Sequence, residues 1–141
     1  MERRWLAIGA GLGLLLVVLG AFGAHGIKGL ETVTREPKIL EWWGTAVQYG
    51  SWHALAIVLV AALAARGATR ARVVAGWCFL AGELLFSGSL FAMAGIEAAG
   101  GRARWLGAVT PLGGLAMMAG WVALFVHALR APAVEAKGAP A

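Results

Sequence analysis

The chain has 141 residues, of which 60% are hydrophobic and 13% are charged, and its mean hydropathy is +0.77. Ordinary soluble domains are much less apolar, so this composition excludes that class and indicates a protein of the lipid bilayer. Inside a bilayer the backbone N–H and C=O groups must bond within their own segment, which favours helices. The net charge of +5 suits a lipid surface better than nucleic-acid binding.

Four apolar blocks follow one another, each close to the roughly 20 residues that a membrane helix needs. We place the spans at residues 5–25, 40–65, 72–95 and 105–130. The sequence therefore predicts an all-α membrane protein, a four-transmembrane-helix bundle that forms a single domain over residues 1–130. The second helix is expected to begin near Pro37, with Trp42 and Trp43 at the level of the lipid headgroups. The small, polar residues 131–141 are expected to form a disordered tail.

The distribution of Lys and Arg between the connections predicts the orientation. The side with both termini and the second connection holds seven of these residues, and the opposite side holds five. This excess predicts that both termini lie in the cytoplasm.

Small residues mark the candidate helix-packing positions, because helices in lipid associate through close backbone approach. Residues of this kind are Gly9 and Gly13 in the first span, Gly88 in the third, and Gly113 and Gly114 in the fourth. Such a pattern does not say whose helix it meets. Packing within the bundle and docking onto another membrane subunit both remain open.

Pro111 lies inside the predicted fourth span, one and a half turns from its start. A proline there cannot donate to the carbonyl one turn earlier, so we expect a local kink. A kink can frame a cavity, although it is more often a packing adjustment.

Glu83 is the acid at the centre of the third span. A charged carboxylate there costs on the order of 2.5–3.5 kcal/mol, so it must face protein or water and be either paired or protonated. Counting helical rise places His53 of the second span at a similar depth, with Gln48 and Tyr49 about one turn above it and Ser87 one turn beyond Glu83. We therefore expect a His53–Glu83 pair, acting either as interhelical glue or as a ligand or proton site.

His25 lies at the expected end of the first span, where a loop or capping role is the simpler interpretation. The histidines are too far apart in depth for haem, and no zinc-ligand spacing exists, so we expect no metal and no cofactor. Cys78, the one cysteine, is expected to be a small buried hydrophobe. No set of nucleophile, base and orienting group can be filled, so we expect no catalytic residues and no enzymatic activity.

The four spans carry blocks that together resemble the small bacterial inner-membrane proteins of the YgdD/YwdK type, domain of unknown function 423. The blocks are GAFGAHGI (20–27), WGTAVQYGSWHALAIVL (43–59), LFSGSLF (85–91) and LGAVTPLGGLAMMAGW (106–121). The resemblance implies four spans, a bacterial inner (plasma) membrane location and no established activity. Its recurrent polar positions correspond to His25, Gln48, Tyr49, His53, Ser87, Ser89, Thr110 and Pro111. The chain departs from it at Gly50, where glutamine is frequent, and at Glu83, where the residue is usually uncharged.

These features favour a non-enzymatic accessory or structural subunit of a larger bioenergetic or transport complex. Its expected partners are the lipid bilayer and other membrane subunits, with no nucleic acid. Two alternatives use His53 and Glu83: a small channel or transporter, and a membrane module that binds a lipid or a quinone.

Overall fold

A computed structural model describes residues 2–66 and 69–130. The described residues form helices and no strand, and four helical segments are long and apolar enough to cross a membrane. These segments are Glu2–Ile27, Lys38–Ala62, Arg70–Ala98 and Arg104–Arg130. The prediction of an all-α protein with four membrane spans is confirmed. The tail that we expected to be disordered, residues 131–141, lies outside the described residues.

Helix α1 (Glu2–Phe22) carries no charge after its first turn and continues into a π-helical turn, Gly23–Ile27. Its buried residues recur at helical spacing, Trp5, Gly9 and Leu16, so one narrow stripe of α1 faces the protein. The rest of the helix is open to lipid or to another chain.

The first connection contains a short helix, α2 (Glu31–Arg35), that the hydropathy pattern did not predict. Val33 is buried, and Thr32 Oγ1 donates to the carbonyl of Ala98 at 2.6 Å. These two contacts fix the connection against the end of the third membrane helix.

Helix α3 (Lys38–Ala62) begins directly after Pro37, as the sequence predicts. Trp43, which we expect at the headgroup level, faces the protein: its side chain is buried and its indole N–H donates to the carbonyl of Leu19 at 2.8 Å. Gly23 gives the indole its space, since a methyl group there would come within 2.5 Å of the ring. A buried indole with its N–H bonded is a well-satisfied core residue, so Trp43 fastens α3 to the end of α1.

Helix α4 (Arg70–Ala98) begins at a capping residue, Thr69, whose side chain accepts from the backbone N–H of Arg72. The Arg72 side chain is buried and donates to the carbonyl of Val60 at 3.0 Å. A cation at the carbonyl end of a helix is favourable. Arg72 thus closes the turn between α3 and α4.

Helix α5 (Thr110–Arg130) follows a 3-10 turn, Arg104–Ala108. The expected kink at Pro111 is wrong, because Pro111 lies in the first turn of α5 and not within a continuous helix. A first-turn proline removes an N–H that has no helical acceptor and presets the backbone, so it starts the helix without bending it.

The central pair of helices is α3 and α4, with α1 packed on α3 and α5 packed on α4. We call the end with Glu2, the α3–α4 turn and Arg130 the near end, and the end with the other two connections the far end. One cluster of buried hydrophobic residues lies toward the near end and includes Trp5, Ile57 and Phe79. A second cluster at the far end includes Ile27, Val33, Ile39, Trp43 and Ala94.

Candidate functional site: an aromatic groove between α3 and α5

A groove of about 710 Å³ runs between α3 and α5, with α4 as its floor. Its walls are mostly aromatic and apolar, and they are formed by Tyr49, Trp52, His53, Phe86, Pro111, Gly114, Leu115, Met117, Met118 and Trp121. Its lining residues extend from Pro111 to Trp121 on α5 and from Tyr49 to His53 on α3. In a bilayer this volume must be filled by lipid or by another apolar molecule.

The rings that line the groove support one another. The Tyr49 ring lies 5.3 Å from Trp52 and 5.0 Å from Phe86, centroid to centroid. The Trp121 ring packs on Phe79 at 5.2 Å in an edge-to-face arrangement. Separations of 4.5–7 Å are those that aromatic pairs prefer, so the rings stabilise the walls by packing on one another.

His53 is buried at the inner edge of the groove and bridges its two walls. Its Nδ1 lies 2.8 Å from the carbonyl of Tyr49, and Trp121 donates its indole N–H to His53 Nε2 at 3.2 Å. A carbonyl only accepts and an indole N–H only donates. The proton is therefore assigned to Nδ1, and the imidazole is neutral with both nitrogens used.

The expected His53–Glu83 pair is wrong. The nitrogens of His53 are taken by Tyr49 and Trp121, whereas Glu83 lies at the junction of α4 with α1 and α3. Glu83 faces Gly50, one turn from His53 on α3, so the two residues lie at similar levels of the bundle, but they point to different sides of the α3–α4 pair. His53 does form an interhelical hydrogen bond, but its partner is Trp121 and not Glu83. The ligand or proton site expected between His53 and Glu83 is not formed.

Glu83 and Ser87 are both buried on one face of α4, separated by one helical turn. Gly50 makes space for the carboxylate, because a methyl group at residue 50 would come within 2.6 Å of Glu83 Oε1 and 2.7 Å of Leu16 Cδ2. In the described part of the chain, neither Glu83 Oε2 nor Ser87 Oγ has a hydrogen-bond partner.

Of the other polar candidates, Gln48 and His25 lie outside both sites. Gln48 is exposed and lines a second hollow of about 580 Å³ between α1 and α3. His25 is exposed in the π-helical turn at the far end. Tyr49 alone belongs to the groove, where about 39% of its surface is exposed.

The candidate packing glycines divide into two groups. Gly9 packs on Val58 of α3, and Gly113 packs on the backbone of Phe86. Gly13 and Gly88 have no atom within 4 Å of the position of an added methyl group, so packing within the bundle does not use them.

Gly114 belongs to neither group. A methyl group there would lie 3.8 Å from Phe86, an ordinary contact distance, and Gly114 lines the groove.

Sequence reasoning missed Trp52 and Trp121. A signal was present, because tryptophan prefers the two membrane surfaces and both of these residues lie mid-span. Among the described residues, no group of three or more His, Cys, Asp or Glu side chains could hold a metal ion.

The family model described as "Protein of unknown function (DUF423)" matches residues 19–114, which include His53, Glu83 and the groove residues from Tyr49 to Gly114. The chain belongs to this family. The DUF423 match confirms the resemblance drawn from the four sequence blocks.

Curated relatives of this DUF423 chain are named UPF0382 membrane proteins. YwdK of Bacillus subtilis is 41% identical over 129 residues, covering 91% of this chain and 98% of YwdK. A Haemophilus influenzae relative is 38% identical, covering 88% of this chain and 92% of the relative. C1782.12c of Schizosaccharomyces pombe is 36% identical, covering 81% and 92%. No solved structure matches the chain.

The two departures from the resemblance are neighbours in space. Gly50 and Glu83 lie against each other across the α3–α4 interface. A larger residue at position 50 would occupy the space of the carboxylate, so the two departures form one local arrangement.

Proposed function

We propose that this membrane protein is a non-enzymatic module that binds a lipid-soluble molecule in the groove between α3 and α5. The observation that carries the proposal is the groove itself, about 710 Å³ of aromatic-walled space at membrane depth. Small-molecule sites commonly have volumes of about 300–1,000 Å³, with mostly apolar walls and a few polar groups.

The polar groups of the groove favour a ligand with a flat, hydrogen-bond-accepting head, such as a quinone. Tyr49, which carries a hydroxyl, and Trp52, which carries an indole N–H, line the groove, and both side chains are partly exposed. Both groups can donate. His53 has no free nitrogen, so its role is to hold the two walls together and not to bond the ligand.

The groove is tested by quinone quenching of tryptophan fluorescence in liposomes. A short-chain quinone should quench Trp52 and Trp121 in a saturable manner, above the linear collisional background. Gly114→Leu fills the groove and should leave only the linear background. Gly88→Leu, at an open position on α4, should keep the saturable component. Equal quenching curves for the two variants would refute the proposal.

An accessory role within a larger membrane complex is a second candidate, favoured by the open surface of α1. Only Trp5, Gly9 and Leu16 of that helix are buried, and Gly13 has open space around it. A larger chain seated there should co-purify at fixed stoichiometry. Gly13→Leu should abolish that co-purification, while Gly44→Leu, at an open position on α3, should preserve it. The proposed location is the bacterial inner (plasma) membrane.

The channel or transporter alternative receives less support. It used His53 and Glu83 together, and these residues occupy separate sites on opposite sides of the α3–α4 pair.

A further inference from the structure

The Glu83–Ser87 face of α4 carries two buried polar groups that the groove does not use. About 4% of Glu83 and 1% of Ser87 is exposed. Glu83 Oε2 and Ser87 Oγ lack hydrogen-bond partners within the described residues. Leaving such groups unpaired in apolar surroundings costs free energy, so we expect each of the two groups to have a hydrogen-bond partner in the membrane.

The elements around the carboxyl group bring no cation to it. Helix α1 has no charged residue between Trp5 and the end of the helix and contributes Leu16. Helix α3 contributes Gly50, and one turn away His53 is neutral and fully bonded.

The nearest charged groups of α4 and α5 lie far from the site. On α4, Arg72 is 11 residues from Glu83, roughly 16 Å by helical rise, and it bonds to Val60. On α5, His127 is held by Thr69 at the near end. Among the described residues, a carboxylate at position 83 would therefore have no opposite charge to offset its burial.

Side chains four residues apart on a helix are neighbours, so rotation of Glu83 or Ser87 can join the two groups. A carboxylic acid O–H donates to Ser87 Oγ, and the Ser87 hydroxyl then donates to the backbone carbonyl one turn earlier, a common serine bond within helices. An ionised carboxylate would instead have a single serine donor and no counter-charge.

We propose that Glu83 and Ser87 form a proton-binding site inside the membrane, in which Glu83 is a carboxylic acid that donates to Ser87. The site is independent of the groove and of the function proposed for it. Glu83 and Ser87 supply three side-chain oxygens between them, and a hard metal cation takes six to eight oxygen ligands. The ligand is therefore a proton and not a metal ion.

Leu16 covers this site from α1 and is 2% exposed, so the proton exchanges with water only when α1 moves away. Leu15, its neighbour in the sequence, is about 51% exposed, because consecutive side chains of a helix point in different directions. The two leucines provide a matched pair for testing the cover.

Infrared difference spectroscopy of the full chain in liposomes at neutral pH tests the site. The wild-type minus Glu83→Gln spectrum should contain the carbonyl stretch of an undissociated carboxylic acid. Ser87→Ala should shift that band, because it removes the hydrogen-bond acceptor. In D₂O the band should move slowly in wild type and in Leu15→Ala, and faster in Leu16→Ala.

Two results would overturn the proposal. The first is a wild-type minus Glu83→Gln difference spectrum that contains carboxylate bands and no band of an undissociated acid. This comparison requires only that Glu83→Gln keeps the helix content of the wild type. The second is an acid band that exchanges equally fast in Leu15→Ala and Leu16→Ala. Neither outcome depends on quinone quenching, so this site and the groove fail separately.

Discussion

The carboxyl group of Glu83 on α4 lies over Gly50 on α3, and the side chain of Leu16 on α1 closes the same space. A methyl group at residue 50 would come within 2.6 Å of Glu83 Oε1 and 2.7 Å of Leu16 Cδ2. Three membrane helices therefore meet at one glycine. Glu83, the only acid in the middle of a membrane span among the described residues, fits there because Gly50 has no side chain.

Gly50→Ala should lower the free energy of unfolding by about 1–3 kcal/mol, because overpacking forces the carboxyl group of Glu83 or the side chain of Leu16 to move. Gly44→Ala on the same helix meets no atom within 4 Å. It should be neutral or should gain up to about 1 kcal/mol of helix propensity. Reversible unfolding in mixed micelles measures both. Equal effects at the two positions would contradict the packing described here.

The adjacent glycines of α5 provide a second matched pair. A methyl group at Gly113 collides with the backbone of Phe86, whereas one at Gly114 lies 3.8 Å from its ring. Gly113→Ala should therefore force α4 and α5 apart and cost about 1–3 kcal/mol, while Gly114→Ala should be tolerated. The same unfolding measurement decides this, and comparable losses at both positions would show that α5 faces α4 differently.

Trp121→Phe removes the indole N–H that His53 Nε2 accepts. Hydrogen bonds between membrane helices average about 0.6 kcal/mol and reach about 1.7 kcal/mol, so we expect a loss within that range. The double variant with His53→Phe should be less destabilised than the sum of the single variants. Trp52→Phe, which removes an indole N–H not bonded to His53, should add to His53→Phe without coupling. If the losses in stability of Trp121→Phe and His53→Phe were additive, the hydrogen bond between Trp121 and His53 would be contradicted.

The four membrane spans could be predicted from the sequence because hydropathy and length are properties of each segment alone. The start of α3 at Pro37 was predicted for the same reason, since proline acts locally. Pro111 was misjudged because the apolar run begins before the helix does. The residues 104–108 form a 3-10 turn, which hydropathy does not distinguish from an α-helical turn.

The site was predicted only in part, because helical rise fixes depth and leaves the rotation of a helix about its axis undetermined. His53 and Glu83 lie at similar levels of the bundle, as predicted, yet His53 points toward α5 and Glu83 toward α1. The partner of His53 is Trp121, 68 residues later, and no local pattern links two such positions. Gly9 and Gly88 looked alike as small residues, but only Gly9 meets a neighbouring helix.

The orientation is open to direct test. Four spans place both termini on one side of the membrane, and the excess of Lys and Arg there predicts the cytoplasm. A reporter that works only in the cytoplasm should be active when fused after residue 141 and inactive when inserted at Gly101. Cys78, half-buried in α4, should resist membrane-impermeant thiol reagents in intact vesicles. The reverse pattern of reporter activity would show that both termini lie outside the cytoplasm.

Native mass spectrometry after gentle extraction tests the central claim, a ligand in the groove between α3 and α5, most directly. Wild type and Gly88→Leu should each retain one small molecule of defined mass per chain, and Gly114→Leu should be recovered without it. A bare wild-type chain, or the same mixture of phospholipids on all three proteins, would contradict the account.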